Sequence, residues 1–274
     1  MTDSFQVPPG LVVTTTYGSI TQETAQCLAD ARSFNDKEGL TNVQYIMVPG
    51  SLVDKARNEA VRQMLKAQAG WLLFIDGDMT FPFDAIRKLI QTAYAGSPHF
   101  DVVGGYCNLR GELAVPTIDT GTGTWESWYP GSGVVEVIRT GAAFLLTKRH
   151  VFERLTDPWF RMRVPTRAAD FMAELDNFAR IKFDGQNPLR GSAWERLEQA
   201  ARDDASIIKQ NFTPHEVGED SGFCDRVKLA GFRIGVDTDV VTGHVDRRIV
   251  DWQLHKKAMD DRERFIRQAC GLWD

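Results

Sequence analysis

The sequence predicts an α/β protein whose open, mostly parallel sheet is flanked by helices. Apolar, β-branched segments alternate with helix-forming segments through roughly the first hundred residues, and the connections between them are short. Such alternation is typical of βαβ units, in which a crossover helix joins two parallel strands. In addition, residues 71–75 are apolar at every position, which indicates a strand buried on both faces of the sheet.

The first half is predicted element by element from its periodicity and its turn residues. Strands are predicted at residues 11–16, 43–48, 71–75 and 101–105, and helices at 21–34, 52–69 and 83–94. Gly39 and Gly70 end the first two helices, and Ser51 with Asp54 three residues later is a weak capping signature. Residues 1–110 therefore predict four strands of one sheet.

The second half has a different character. Residues 111–133 are rich in Gly, Thr and Trp and predict a hairpin or an exposed loop. Strands are predicted at 134–137, 140–146 and 233–236, and helices at 150–155, 193–201 and 221–230. Residues 159–215 are polar, arginine-rich and aromatic, which predicts an inserted lobe or a lid, and 251–274 predicts a C-terminal helix. We expect a single domain over residues 1–274.

The composition excludes several classes of protein. An apolar fraction of 43%, a charged fraction of 25% and a formal net charge of −5 are ordinary for a globular protein and argue against a general nucleic-acid-binding surface. No apolar run is long enough to span a bilayer and no leader opens the chain, so we expect a soluble, cytoplasmic protein. The scattered cysteines lack zinc-site spacing, which predicts reduced structural thiols: Cys27, Cys107, Cys224 and Cys270.

The strongest chemical signal is Asp76-Gly77-Asp78, which directly follows the buried strand at 71–75. Residues two apart on a strand point to the same side, so both carboxylates converge at the strand's carboxyl end. Open α/β sheets bind ligands at that edge. Adjacent carboxylates repel each other unless a cation lies between them, and Mg²⁺ or Mn²⁺ suits oxygen ligands. The triplet predicts a divalent metal site, with a solvated turn as the alternative.

Four motifs together resemble the family 2 glycosyltransferases of the GT-A fold. Residues 74–79 resemble the DxD signature of that family, and the Ala-Arg-Asn sequence at 56–58 resembles the helix motif that precedes it. The Glu-Asp pair at 219–220, followed by Ala-Gly-Phe at 230–232, resembles a later helix motif, and Gly-His-Val at 243–245 resembles a late metal-binding segment. The motifs occur in the order typical of the family. The resemblance implies a GT-A fold with a nucleotide-sugar-binding half (1–110), an acceptor-side half (111–250) and a C-terminal acceptor-side lobe.

The resemblance also implies a role for each motif residue. Asp76, Asp78 and His244 would hold Mn²⁺ or Mg²⁺, and Arg57 would bind the diphosphate or brace the carboxylates. Asp220 would be the base that deprotonates the acceptor hydroxyl, and Glu219 would orient that acceptor, which implies inversion at the anomeric carbon. From the residues alone, Arg57 is also consistent with a surface ion pair, the 219–220 pair with a helix cap, and His244 with a structural histidine.

The donor and the acceptor are less well defined. The resemblance places the nucleoside against Thr15, Thr16 and Tyr17 and favours a UDP-sugar, although residues 49–51 lack the acidic side chain with which many relatives recognise uracil. The acceptor is predicted only as a saccharide, a protein or a modified DNA. An aromatic group in the 111–133 loop predicts either a sugar platform or a cover of the core: Trp125, Trp128 and Tyr129.

Three alternative functions were consistent with parts of the sequence. A nucleotidylyltransferase also uses paired carboxylates and a metal, but the loop after the first strand lacks the basic, Gly-rich character of that class. A glycosyltransferase acting on hydroxymethylated bases in viral DNA would use a basic cluster: Lys148, Arg149, Arg161, Arg163 and Arg167. A non-catalytic nucleotide-sugar-binding protein would keep the fold without turnover.

Overall fold

The computed structural model of the chain describes residues 7–50, 52–109, 114–122, 124–161, 218–245, 249–250, 256 and 259–260. The elements of its first half, in chain order, are β1 (Gly10–Thr16), α1 (Gln22–Lys37), β2 (Val43–Pro49), α2 (Val53–Lys66), β3 (Trp71–Asp76), β4 (Met79–Thr80), α3 (Ala85–Tyr94) and β5 (Val102–Tyr106). The elements described in its second half are β6 (Ile118–Asp119), β7 (Val134–Val137), β8 (Arg139–Thr140), β9 (Phe144–Lys148), α4 (Arg149–Arg154), α5 (Glu219–Leu229), β10 (Ile234–Val241), β11 (Gly243–Val245) and β12 (Ile249–Val250).

The central sheet has seven strands in the order β2-β1-β3-β9-β5-β10-β7. Strands β2, β1 and β3 are parallel to one another, and β5 and β10 run in the same direction as these three. Only β9 and β7 are antiparallel to their neighbours. The predicted open, mostly parallel sheet flanked by helices is therefore confirmed.

The four strands predicted in the first half all belong to this sheet, but they are not consecutive in it. Strand β9 lies between β3 and β5 and pairs antiparallel with both. The separation has a physical reason: β9 is apolar at successive positions and is buried on both faces, so it gains more from a central position than from an edge. The carboxyl ends of β3 and β5 still point to the same edge, with the start of β9 between them.

Two hydrophobic clusters cover the two faces of the sheet. Alternate strand residues divide between them, so that Leu72 and Phe74 face one cluster while Leu73 and Ile75 face the other. The first cluster contains the apolar faces of α2, α4 and α5, and the second contains those of α1 and α3. The result is a three-layer α/β arrangement in which α2 and α5 lie on the same side of the sheet.

Several helix boundaries differ from the prediction. Helix α1 begins after Thr21, whose hydroxyl accepts the N–H of Thr24 at 3.2 Å as an N-cap. Helix α2 was expected to be capped by Ser51, but it begins at Val53 after Leu52, with no capping side chain, and Ser51 lies outside the described residues. Helix α2 also ends at Lys66, three residues before the predicted end, and Gln68 has a φ of 55°.

The strand predicted at 140–146 is divided into β8 and β9, and residues 141–143 between them form a loop. Trp159 and Phe160, placed by prediction at the start of a lobe or lid over 159–215, are buried in the first hydrophobic cluster. The rest of that segment from residue 162 onward, including the helix predicted at 193–201, lies outside the described residues. Of the predicted C-terminal helix, the described residues 256, 259 and 260 are helical.

None of the helices in the described part of the chain combines the length and the apolar character that a bilayer span requires.

Candidate active site

A cleft of about 680 Å³ opens at the carboxyl-terminal edge of the sheet. It is lined by the ends of β1, β3 and β5, the start of β9, and the first turns of α2 and α5. All nine residues that the family resemblance assigns to the donor, the metal ion or catalysis line this one cleft: Thr15, Thr16, Tyr17, Arg57, Asp76, Asp78, Glu219, Asp220 and His244. These residues are up to 229 positions apart in the chain and meet because parallel strands end at a common edge.

Arg57 is the electrostatic centre of the cleft. Its side chain is only 4% exposed, and its Nη2 donates to both carboxylate oxygens of Asp76, at 3.1 and 3.3 Å. Its Nη1 donates to Oε1 of Glu219. One guanidinium therefore joins the end of β3 to the first turn of α5, which excludes the alternative of an exposed surface ion pair for Arg57.

The pKa values follow from this arrangement. Burial acts to lower the pKa of Arg57, but the charges of Asp76, Glu219 and Asp220 outweigh burial and raise it, so the guanidinium stays charged. For Glu219, burial is the largest cause and raises the pKa of the carboxyl, while Arg57 opposes the shift and Asp220 adds to it. Arg57 is therefore the neighbouring group that most favours the ionised form of Glu219.

Aromatic packing fixes the position of Arg57. The guanidinium carbon lies 5.8 Å from the centroid of the Phe160 ring, and Phe160 stacks on Phe223 of α5 with centroids 4.4 Å apart. The adjacent Asn58 anchors Phe160 through the backbone: its Nδ2 donates to the Phe160 carbonyl at 2.6 Å and its Oδ1 accepts the Phe160 N–H at 3.0 Å. Asn58 is thus structural, and it supports the arginine next to it.

Asp76 is held by the strand that precedes it and by the neighbouring strand. Its Oδ1 accepts the hydroxyl of Thr15 at 2.8 Å, and Thr15 is its register partner on β1. Gly77 continues the contact, because its N–H donates to the Thr15 carbonyl and its carbonyl accepts the N–H of Thr21. A Cβ on Gly77 would lie 3.2 Å from the Thr15 carbonyl oxygen and 3.2 Å from the side chain of Ile20. The close approach of β1 and β3 explains a glycine between the two aspartates.

Asp78 and His244 lie on neighbouring segments. Strand β11 pairs antiparallel with β4, which places His244 opposite Met79, and the N–H of Val245 donates to the carbonyl of Asp78 at 2.6 Å. His244 is buried, with 7% exposure, and lines the cleft.

The side chains in this region are of the chemical types that bind a divalent cation. Carboxylate oxygens and an imidazole are ligands that Mn²⁺ accepts. Within the described residues, however, no three His, Cys, Asp or Glu side chains form a ready metal site, and Asp76 already accepts hydrogen bonds from Arg57 and Thr15. A cation would therefore need further ligands from a bound anion.

The cleft carries a large negative charge. Its described lining residues include four carboxylates (Asp76, Asp78, Glu219 and Asp220) and one guanidinium (Arg57), which gives a formal charge of −3 when His244 is neutral. Interactions between charges in a partly buried cleft are screened much less than on the surface. The site is therefore suited to a cation, or to an anion that enters together with one.

Glu219 and Asp220 occupy the first turn of α5, whose N-cap is Gly218. The cap position is therefore not filled by either carboxylate. One oxygen of Asp220, Oδ1, accepts the N–H of Ser221 at 2.7 Å, which orients the carboxylate beside the cleft. The positive end of the helix dipole favours the ionised form of both side chains.

Thr16 and Tyr17 line the outer part of the cleft. The hydroxyl of Thr16 donates to the Ser19 carbonyl and accepts the N–H of Gly18 at 3.1 Å, so this side chain shapes the turn after β1. Tyr17 is 77% exposed. It is positioned at the rim, where its ring can stack on a planar group, and the described residues give it no packing role in the core.

Sequence reasoning missed Cys107, Asn108 and Thr117, which line the part of the cleft beyond β3. Cys107 and Asn108 follow β5, and Thr117 and the 141–143 loop complete this wall. The rule that identified the aspartates could have found Asn108, because it is a polar residue directly after a buried strand whose carboxyl end lies at the same edge. Cys107 is buried, its Sγ contacts the Thr242 hydroxyl at 2.9 Å, and burial raises the pKa of its thiol to about 12.

Two predicted groups do not contribute to the cleft as the structure describes it. Trp125, Trp128 and Tyr129 are absent from its lining, and Trp128 packs against the first hydrophobic cluster. Lys148 pairs in register with Trp71 at the opposite edge of the sheet from Asp76, so Lys148 and Arg149 do not extend the cleft. Arg163 and Arg167 lie outside the described residues.

Comparison with known proteins gives similarity in structure but not in sequence. No protein-family model matches the chain, and no curated protein is similar to it in sequence. Among solved structures, A197 from STIV has a TM-score of 0.52 and 18% identity, with 87% of each chain covered. The sheet order, the flanking helices and this match bear out the predicted fold.

The chain has the GT-A fold.

Two further structures are more distant. GalNAc-T7 with UDP, GalNAc and Mn²⁺ has a TM-score of 0.47 and 7% identity, with 92% of this chain and 48% of that chain covered. TarS 1-349 from S. aureus has a TM-score of 0.37 and 13% identity, with 84% of this chain and 58% of that chain covered. This chain thus spans about half the length of these two proteins. Of the three structures, A197 has the highest TM-score, and it is A197 that shows the fold.

Proposed function

We propose that the protein is a metal-dependent glycosyltransferase that moves a sugar from a nucleoside-diphosphate sugar to an acceptor hydroxyl. The observation that carries the proposal is the convergence of all nine sequence-selected residues in one cleft of the GT-A fold. The family resemblance named these residues for a single reaction, and they are far apart in the chain. Chance placement would not bring them together at one edge of the sheet.

The charge of the cleft supports the use of a metal. A nucleoside diphosphate is an anion, and a cleft with a formal charge of −3 repels it unless a cation enters as well. Asp78 and His244 would hold Mn²⁺ or Mg²⁺, with Asp76 adding negative charge and diphosphate oxygens completing the coordination. When bound, the metal ion stabilises the negative charge that develops on the departing diphosphate.

The two carboxylates of α5 suit the acceptor side of the reaction. In the proposed step, the oxygen of the acceptor hydroxyl bonds to the anomeric carbon, and Asp220 accepts the proton of that hydroxyl. The bond from the anomeric carbon to the diphosphate oxygen breaks at the same time. The displacement is direct, so the configuration at the anomeric carbon is inverted. Glu219, held by Arg57, accepts a hydrogen bond from the acceptor and orients it.

The nucleoside is proposed to lie against the end of β1. Thr15, Thr16 and Tyr17 line that part of the cleft together with Gly50, and the exposed Tyr17 ring is available for stacking on the base. UDP-sugars remain the favoured donors through the family resemblance. Gly50 adds no side chain with which to recognise uracil, so we expect weaker discrimination between bases than in relatives with an acidic residue there.

The experiment is a turnover assay in which purified protein, Mn²⁺ and a panel of nucleotide sugars are tested for release of nucleoside diphosphate, with and without candidate acceptors. We expect one donor class to be hydrolysed or transferred. Asp220→Asn should lower kcat by about 10²- to 10⁴-fold, the contribution of a general base, while donor affinity is kept. Asp225→Asn, on the same helix but bound to Arg139, is the matched control for substitution of an aspartate.

Two results would count against the proposal. If no donor is turned over although one binds, the protein is a nucleotide-sugar-binding protein without catalysis. If a nucleoside triphosphate and a sugar phosphate react to give diphosphate-linked product, the protein is a nucleotidylyltransferase.

A further inference from the structure

Asn108 is a buried amide without hydrogen bonds in the wall of the cleft. It lies two residues after the end of β5, and the residue is 0% exposed. Among the described residues, neither its Oδ1 nor its Nδ2 has a hydrogen-bond partner. The residue nevertheless contributes to the lining of the cleft.

The backbone holds Asn108 in place on both sides. Its position pairs with Pro116 in an isolated antiparallel bridge, the N–H of Leu109 donates to the Val115 carbonyl, and the N–H of Thr117 donates to the Cys107 carbonyl. The amide is therefore presented by a fixed segment. A short polar side chain fixed in this way cannot easily turn toward solvent.

An amide in this state is costly, because most buried polar groups in folded proteins are hydrogen-bonded. Asn58, which supports Arg57, shows the usual condition: its Oδ1 accepts one N–H and its Nδ2 donates to two carbonyls. Asn35, far from the cleft, at least donates to the Tyr45 hydroxyl at 3.1 Å. Asn108 has neither kind of bond and differs from both by lining the cleft.

The sheet order indicates which part of a substrate would meet this amide. Strand β1 borders the proposed nucleoside position. The next strands across the sheet are β3, which ends at Asp76, then β9, and then β5, which Asn108 follows. With neighbouring strands about 4.8 Å apart, Asn108 lies roughly 10 Å beyond the carboxylates on the side away from the nucleoside. In a nucleoside-diphosphate sugar, the sugar follows the diphosphate in that direction.

We propose that Asn108 is a specificity-determining residue that binds two neighbouring hydroxyls of the donor sugar, one donating to Oδ1 and the other accepting from Nδ2. The inference rests on the proposed function, because it assigns the sugar of that donor. An amide offers a donor and an acceptor at a fixed spacing, so it distinguishes hydroxyl arrangements that differ at one carbon. The hydrogen bonds missing in the free protein are then formed by the substrate.

The test uses Asn108→Leu, which keeps a similar shape and removes both polar atoms, and Asn108→Asp, which keeps the shape and removes the donor. Asn35→Leu is the matched control, a buried amide outside the cleft. Three quantities are measured: the Tm without ligand, the affinity for the nucleoside diphosphate with Mn²⁺, and kcat/KM for the best donor and for its epimers.

We expect Asn108→Leu to keep or raise the Tm, because it removes polar atoms that have no partner, whereas Asn35→Leu lowers it. Affinity for the nucleoside diphosphate should stay within about twofold of wild type. For the best donor, kcat/KM should fall by about 10²-fold, and the preference over epimers should largely disappear. Asn108→Asp should show a smaller loss of preference, since one hydrogen bond remains.

The inference is overturned if Asn108→Leu keeps the donor preference of the wild type. In that case the turnover of the donor still supports the proposed function. It is also overturned if Asn108→Leu and Asn108→Asp both lower the Tm and both weaken nucleoside diphosphate binding to the same extent. That result would make Asn108 a structural residue. If the wild-type protein turns over no nucleotide sugar, the proposed function fails, and this inference fails with it for that separate reason.

Discussion

Replacement of Arg57 by Met should destabilise the protein far more than the same replacement of Arg62, one helical turn away on α2. Both arginines bind two carboxylates, but Arg57 is 4% exposed whereas Arg62 is 49% exposed. Removing one partner of a fully buried ion pair costs about 3–5 kcal/mol, because the remaining charge stays buried. Exposed pairs contribute about 0–1 kcal/mol.

The carboxylates that Arg57 leaves behind are not fully buried, since Asp76 is 22% and Glu219 is 14% exposed. We therefore expect Arg57→Met to lower the free energy of unfolding by about 2–4 kcal/mol, and Arg62→Met by less than about 1 kcal/mol. Urea unfolding at neutral pH, with the slope checked for each variant, measures both values.

The pH dependence gives the same prediction a second readout. Burial is the largest cause that raises the pKa of Glu219, and without Arg57 the largest opposing influence is lost. A carboxyl whose folded-state pKa is raised stabilises the fold below its unfolded pKa, and that contribution is lost as the pH rises through the folded pKa. The deficit of Arg57→Met should therefore be larger near pH 8 than near pH 5.

The reasoning about Arg57 would be refuted by either of two results. One is a loss of stability in Arg57→Met no larger than in Arg62→Met, which would mean that the carboxylates need no buried cation. The other is a deficit that stays constant or grows as the pH is lowered, which would mean that Arg57 does not lower the pKa of Glu219.

Two further predictions concern the support of the cleft and the thiols beside it. Asn58→Ala should lower the free energy of unfolding by about 2–3 kcal/mol, because the Phe160 N–H and carbonyl lose their partner. Urea unfolding measures this loss, and a value below about 0.5 kcal/mol would contradict the anchoring role. Burial raises the pKa of the Cys107 and Cys224 thiols to about 12, so in a Cys27→Ala, Cys270→Ala variant near pH 8 neither should react rapidly with Ellman's reagent until the protein is unfolded. Rapid reaction of one thiol in the folded protein would show that the wall at Cys107 or the core at Cys224 opens.

The sequence predicted the edge of the sheet better than its interior. Asp76 and Asp78 could be placed because a buried strand ends directly before them, and that pattern is local. The position of β9 could not be predicted, because its apolar run indicates a strand without indicating which strands it pairs with. The same limit applies to Arg57, whose bond to Glu219 joins residues 162 positions apart.

Other differences have local physical causes. Serine is a common N-cap residue, which favoured Ser51. The N-cap of α2 is instead Leu52, which makes no capping side-chain hydrogen bond, and the first turn of α2 lies against the cleft. Asn108 was overlooked because no charged residue accompanies it, although it follows a buried strand as Asp76 does. Sequence patterns identified the residues with charge, and the structure was needed to find a neutral residue whose hydrogen bonds are missing.

The negatively charged cleft is proposed to bind a nucleoside diphosphate together with a divalent cation. The most direct measurement is calorimetric titration of UDP, GDP and CDP into the wild-type protein and into Asp78→Asn, each with Mn²⁺ and with EDTA. For at least one nucleotide, we predict that Mn²⁺ raises the affinity of the wild type by about 10²-fold or more and that Asp78→Asn loses most of this gain. Binding that is equally tight with EDTA, or a Mn²⁺ effect that Asp78→Asn leaves unchanged, would contradict the account.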